Sequence, residues 1–175
     1  MSAQAATMTL DLSGAASWDG YGDPSNNVFF MNIGANSTVT GVEWNIDLRT
    51  VGASWLQEAI IDFDNSTSSS SDWFALNPGF GLANSGNQVF NSGGMILLAN
   101  ADDQVLFTNG GNLTVGNDGL LKVELFETFD DVADAIDANY GQGSYVTIQY
   151  EPIPEPATMA VLGLGAAALL RRKRK

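Results

Sequence analysis

Carboxylates are the side chains of this sequence with the widest chemical scope. The 175 residues include 20 Asp and Glu but no His and no Cys, which excludes a Ser-His-Asp triad, a thiol nucleophile and the usual zinc sites. Two carboxylates can act as acid and base on a glycosidic bond, and the pairs considered are Glu124 with Glu127 and Glu43 with Glu58. Because acids are abundant, such pairs arise by chance. We predict a protein that is not an enzyme, with a carboxylate-based glycoside hydrolase as the alternative.

Clustered acidic residues also suit calcium, which takes six to eight oxygen ligands from carboxylates, amides and backbone carbonyls. The oxygen-rich clusters are Asp62, Asp64 and Asn65; Asp102 and Asp103; and Asp130, Asp131, Asp134 and Asp137. None has the spacing of an EF-hand loop, so a solvated acidic loop is the alternative. The densest cluster predicts Asp130, Asp131 and Asp134 as the calcium ligands.

Aromatic residues are the second group of interest, because sugar rings stack on aromatic faces. Trp18 and Tyr21 lie in the Gly-rich segment 17–24, and we predict them as a carbohydrate platform. Packing of both side chains against the end of the domain is the alternative. The other aromatic residues considered are Trp44, Trp55, Trp73 and Tyr140.

The elements that position these side chains are predicted to be strands. The alternation of Val42, Trp44, Ile46 and Leu48 with polar residues has the period of a half-buried strand. β-Branched and aromatic content predicts further strands at 8–12, 28–33, 55–63, 73–76, 95–99, 104–107, 120–126 and 145–150. Gly-rich segments between them are typical of tight turns. The pattern predicts an all-β domain over residues 1–150, a β-sandwich or jelly roll.

Two segments interrupt the strand pattern. The Ser-rich run 66–71 predicts an exposed loop. Residues 130–140 fit one short helix, since Val132, Ile136 and Tyr140 lie four apart, or an irregular loop. The sequence leaves both open.

Charge is divided unevenly along the chain. Residues 1–150 contain 18 acidic residues against Arg49 and Lys122. Nucleic-acid recognition needs a basic footprint, so we predict no nucleic-acid partner.

The C-terminal residues form a tail of three parts. Pro152, Pro154 and Pro156 hold the chain extended, and the uncharged segment from Ala157 to Leu170 would span about 21 Å as a helix, against roughly 30 Å of bilayer hydrocarbon. The basic residues that follow are Arg171, Arg172, Lys173, Arg174 and Lys175. Snorkelling extends the reach of the helix and the cations favour a cytoplasmic end. We predict an inner-membrane segment with the domain outside.

This layout resembles the PEP-CTERM sorting signal of Gram-negative bacteria, in the segment IPEPATMAVLGLGAAALLRRKRK. The resemblance implies a secreted protein in which Pro154, Glu155 and Pro156 form the recognition motif. It also implies that a membrane-embedded exosortase removes the tail during delivery to the cell surface or extracellular matrix. It covers the last 23 residues and bears on transport alone.

The N-terminal residues suggest an earlier processing step. Ala3-Gln4-Ala5 followed by Ala6 is similar to the small-residue site at which a signal peptide is cleaved. We expect residues 1–6 to derive from that region of a longer precursor, with a merely Ala-rich N-terminus as the alternative.

Residues 28–63 and 120–150 resemble the first and last strand groups of P-domain-like jelly rolls, an analogy of fold that assigns no function. The sequence as a whole predicts an exported domain at 1–150, a Pro-rich linker at 151–156, a hydrophobic helix at 157–170 and a basic end at 171–175. We predict a structural or adhesive component of the cell surface or an exopolysaccharide matrix. A carbohydrate-binding module is the alternative.

Overall fold

The protein folds almost entirely into β-strands. The computed structural model describes residues 4–67, 73–101, 105–108, 111–131 and 135–153. In chain order the strands are β1 (Ala6–Asp11), β2 (Ala16–Ser17), β3 (Val28–Asn32), β4 (Thr38–Thr50), β5 (Ala59–Asn65), β6 (Trp73–Leu76), β7 (Asn87–Asn91), β8 (Ile96–Leu97), β9 (Leu106–Thr108), β10 (Leu113–Thr114), β11 (Leu120–Glu127), β12 (Ala138–Tyr140) and β13 (Tyr145–Glu151). A 3-10 helix follows β8 at Leu98–Asn100.

The strands form two antiparallel sheets that pack as a sandwich. The first sheet has the order β1-β13-β4-β12-β2, with β7, β8 and β10 also paired to β4. The second sheet has the order β3-β11-β5-β6-β9. The predicted all-β sandwich is therefore confirmed.

Strand β4 organises the first sheet. Strands β13 and β12 pair along one of its edges, and β10, β8 and β7 pair along the other. Its predicted apolar face is buried at Val42, Trp44, Ile46 and Leu48. The strand begins earlier than predicted, and its register with β13 shifts so that Thr40 is an extra residue. This bulge shifts the alternation of inward and outward side chains by one residue, so that Val39 is buried as well.

The core lies between the two sheets. Phe63 of β5 and Phe74 of β6 stack with ring centroids 4.3 Å apart and planes 9° from parallel. They belong to one buried cluster with Trp44 and Leu48 of β4. Burial of each such side chain contributes roughly 1.5–3 kcal/mol, which is the main source of stability in a chain without cysteine.

The clearest differences between the structure and the sequence prediction lie in three segments. The described residues of 130–140 contain no helix, because Ala138–Tyr140 forms β12 and pairs with β2 and β4. The strand predicted at 55–63 starts at Ala59, since the N–H of Glu58 donates to the carbonyl of Trp55 and closes a turn. Strand β7 was not predicted, because its exposed, Asn-rich sequence lacks alternation.

The predicted tail elements lie outside the described residues. These include the sorting tripeptide from Pro154 to Pro156, the segment from Ala157 to Leu170 and the basic end. Among the residues that are described, no helix is long and apolar enough to span a membrane.

Candidate functional site

The outer face of the second sheet carries a cleft lined by aromatic and acidic side chains. Its volume is about 460 Å³, within the range of ligand-binding pockets. The lining residues are Tyr21, Ile60, Asp62, Asp64, Trp73, Ala75, Phe107, Phe126 and Thr128. The cleft is therefore built mainly from four neighbouring strands, β11, β5, β6 and β9.

Strand alternation explains why these side chains face outward. In β5, Ile61 and Phe63 are fully buried in the core, so Asp62 and Asp64 point to the opposite face. The strand register places Asp62 beside Ala75 of β6. The small Ala75 side chain leaves open space above the sheet. Ala75 and Asp62 therefore form the floor of the cleft.

One side of the cleft is formed by Tyr21, which projects from the loop between β2 and β3. Its ring meets Phe126 edge-on at a centroid distance of 5.5 Å. Lys122 Nζ lies 4.6 Å from the centroid of the same ring and donates to Tyr21 Oη at 3.4 Å. Tyr21 Oη donates in turn to Asp64 Oδ2 at 3.4 Å. The side chain is thus oriented while it remains 53% exposed.

The opposite side of the cleft is formed by Trp73 of β6 and Phe107 of β9. Their rings pack edge-to-face, with centroids 5.8 Å apart and planes at 86°. Trp73 is partly buried against the core. Aromatic faces therefore flank the cleft on both sides of its acidic floor.

Buried Glu124 and Asn26 fix the loop that carries Tyr21. Glu124 Oε1 accepts hydrogen bonds from the N–H of Gly22 at 2.6 Å and from Asn26 Nδ2 at 3.1 Å. Lys122 Nζ pairs with Glu124 Oε2 at 2.5 Å. Asn26 Oδ1 accepts from the N–H groups of Trp18 and Asp19, both at 3.1 Å. The loop is therefore anchored to β11 from both sides of Tyr21.

Replacing Asn26 by Ala is expected to destabilise the domain by about 2–3 kcal/mol, since it leaves two loop N–H groups and one buried Glu124 oxygen with fewer partners. Urea unfolding of the full-length chain measures this difference. Asn32→Ala is the matched control, because Asn32 is exposed and accepts a local hydrogen bond from the N–H of Gly34. Equal midpoints for the two variants would contradict the anchoring role of Asn26.

Asp62 is the most unusual side chain in the cleft. It is 8% exposed, and within the described part of the chain its carboxylate accepts no hydrogen bond. The pKa of Asp62 is raised to about 7, mainly by burial and then by the charges of Asp64 and Glu124, against the opposing charge of Lys122. The floor of the cleft therefore holds a carboxyl group that makes no hydrogen bond to the described residues around it.

This arrangement suits a ligand with an apolar face and hydroxyl groups. Aromatic rings attract C–H groups through their negative faces. Asp62 and Asp64 can accept hydrogen bonds from hydroxyl groups. The cleft combines the two kinds of contact within one pocket.

The structure separates the two aromatic residues predicted as a platform. Tyr21 lines the cleft, whereas Trp18 is half-buried and is not among the lining residues. Tyr140, also considered from the sequence, is fully buried. Trp73 and Phe107 form the second aromatic side, and only the strand register brings them opposite Tyr21.

The carboxylate pairs considered for glycosidic chemistry do not form sites. Glu124 and Glu127 are three residues apart in β11 and therefore point to opposite faces. Glu124 bonds the Tyr21 loop, whereas Glu127 accepts from Ser17 Oγ. Glu43 lies in β4 of the first sheet, and Glu58 precedes β5 of the second.

Two of the three acidic residues predicted as calcium ligands lie at one end of the sandwich. Asp130 and Asp131 follow β11, and Asp134 is outside the described residues. Asp102 and Asp103 are also outside them. Over the described ranges, no group of three or more acidic side chains is already arranged to hold a metal ion.

Comparison with known families identifies the tail. Residues 152–175 match the family described as PEP-CTERM protein-sorting motif. The chain carries a PEP-CTERM sorting motif. The match includes Pro154, Glu155 and Pro156, as predicted from the sequence. It supports sorting of the protein to the cell surface by exosortase-type machinery, through a C-terminus that is transiently anchored in the membrane. No curated protein is similar enough to the chain to count as a match.

Proposed function

We propose that this protein is a non-enzymatic, adhesive component of the cell surface or extracellular matrix, and that its aromatic cleft binds exopolysaccharide. The observation that carries the proposal is the combination of Asp62, which is buried without a hydrogen-bond partner among the described residues, with aromatic side chains on both sides of it. The sorting motif supports an exported location, where the cleft would be accessible to extracellular polysaccharide.

The charge of the cleft favours neutral or amine-bearing sugars over acidic ones. Asp62, Asp64 and Glu124 lie close together, and Lys122 is the cation paired with Glu124. The domain as a whole carries 18 acidic residues against two basic ones over residues 1–150. A polyuronate would be repelled by this field, so it serves as the negative control ligand.

Removal of Trp73 tests the proposal. Trp73→Ala is expected to weaken binding of the full-length chain to polysaccharide extracted from the native matrix by at least about tenfold, the loss typical of one aromatic anchor. Co-sedimentation with the polysaccharide measures the affinity. Tyr21→Ala is a second variant whose exposed side chain tests the same cleft with little effect on the core.

Trp55→Ala is the matched control, because Trp55 is 42% exposed and does not line the cleft. Wild-type affinity in both cleft variants would contradict the proposal. A glycoside hydrolase is distinguished by release of reducing ends during the same incubation. Such release, lost in Asp62→Asn, would replace binding with catalysis as the function of the cleft.

A further inference from the structure

A second group of carboxylates lies at the end of the sandwich, apart from the aromatic cleft. It consists of Glu127 at the end of β11, Asp130 and Asp131 after it, and Asp137 before β12, and we call it the end cluster. Glu127 and Asp137 are each 1% exposed. The end cluster is not used by the proposed function.

The backbone holds the two buried members of the end cluster in place. The N–H of Asp137 donates to the carbonyl of Ser17 at 3.1 Å, and the N–H of Val51 donates to the carbonyl of Asp137 at 2.7 Å. The N–H of Glu127 donates to the carbonyl of Asp19 at 2.9 Å. Both sheets therefore contribute to this end of the domain.

Each member of the end cluster retains a buried oxygen without a hydrogen-bond partner among the described residues. These oxygens are Glu127 Oε2, Asp130 Oδ1, Asp131 Oδ2 and Asp137 Oδ2. The opposite oxygens of the two deepest carboxylates accept from Ser17 Oγ and, at 2.9 Å, from Ser54 Oγ. A buried carboxylate oxygen without a donor is strongly unfavourable, so these oxygens need a proton, a hydroxyl donor such as Tyr140 Oη, which lies beside Glu127 unpartnered within the described part of the chain, or a cation.

Residues 1–150 offer no basic side chain to fill that role. Over residues 1–150 the basic residues are Arg49 and Lys122, and these pair with Asp47 and Glu124 respectively. The pKa of Glu127 is raised to about 8, mainly by burial and with a contribution from the charges of Asp137, Glu58 and Asp131, while the hydrogen bond from Ser17 opposes the rise. The carboxylates are therefore close enough to repel one another.

We propose that the end cluster binds one divalent cation, Ca²⁺, through Glu127 and Asp137 with Asp130 or Asp131 completing the site. Calcium accepts many oxygen ligands in flexible geometry, whereas Mg²⁺ demands a near-ideal octahedron. The carboxylates do not yet converge as a finished metal site, so binding requires side-chain rotation toward the ion. The ion would join the end of β11 to the start of β12 and so fasten the two sheets together.

Calcium-dependent melting of the full-length chain tests this site. With 10 mM Ca²⁺, the wild-type protein is expected to melt about 3–10 °C higher than in chelator, given the affinities typical of extracellular calcium sites. Glu127→Gln and Asp137→Asn, which keep the side-chain shape, are each expected to lose most of that shift. Asp47→Asn is the control, since Asp47 pairs with Arg49 at the surface of β4 and its loss leaves the shift intact.

Three results would overturn the proposal. The first is a wild-type melting temperature that does not change with Ca²⁺, which would leave protons as the neutralising partner. The second is a calcium shift that persists undiminished in both Glu127→Gln and Asp137→Asn. The third is a shift of equal size with Mg²⁺ at matched ionic strength, which would contradict a calcium-selective site.

Discussion

Replacing Pro154, Glu155 and Pro156 together by Ala is expected to leave the protein in the membrane fraction with its tail intact. The wild-type protein should instead be recovered from the cell surface or the medium without the apolar and basic residues. The reason is that the sorting motif matched at residues 152–175 contains this tripeptide. Intact mass of protein from each fraction measures the outcome.

Pro152→Ala provides the matched control for the sorting experiment. It removes a proline two residues before the tripeptide and leaves Pro154, Glu155 and Pro156 unchanged. We expect normal removal of the tail in this variant. Removal of the tail in the triple variant, or its retention in the wild type at the cell surface, would contradict recognition through the tripeptide.

Replacing Asp62 by Asn is expected to stabilise the protein at pH 8 by about 3–4 kcal/mol and to have little effect at pH 4. The pKa of Asp62 is raised from 3.8 to about 7 by burial and neighbouring acids, so the folded state holds a proton that the unfolded state releases. This stability is fully present below pH 4 and is lost as pH rises through about 7. Asn resembles the protonated form of Asp62, so the variant keeps this contribution to the free energy of unfolding at every pH.

Urea unfolding of both proteins at pH 4, 6 and 8 measures the difference, and comparison of the two cancels the titration of other acids. Asp47→Asn is the control, because Arg49 lowers the pKa of Asp47 and its loss cannot stabilise the protein at pH 8. An Asp62→Asn variant less stable than wild type at pH 8 would contradict the environment assigned to Asp62. A group that destabilises the folded state in a cleft is typical of a functional position.

The fold could be predicted where alternation was strong. The face of Val42, Trp44, Ile46 and Leu48 identified β4 because one side of that strand is buried and the other is solvated. The same method does not predict β12, because the spacing of Val132, Ile136 and Tyr140 leaves a short helix and an irregular loop both open. Pairing of β12 with β2 and β4 determines the conformation of that segment. Such long-range pairing leaves no local pattern in the sequence.

The cleft could be predicted only in part. Tyr21 was identified from its Gly-rich segment, but the same reasoning included Trp18, which does not line the cleft. Asp62 was grouped with its sequence neighbours as a calcium cluster, whereas the register of β5 places it opposite Ala75 among aromatic side chains. Neighbours across strands, which define this site, are set by sheet register and cannot be read from residues adjacent in sequence.

The most direct measurement of the central claim combines export and binding in native culture. Cells producing the wild-type protein or Trp73→Ala are fractionated into envelope, extracellular matrix and medium, and the mature protein is quantified by intact mass in each fraction. We predict that both proteins lose the tail, that the wild type stays with the matrix and that Trp73→Ala passes largely into the medium. Equal distribution of the two processed proteins would contradict attachment through the cleft.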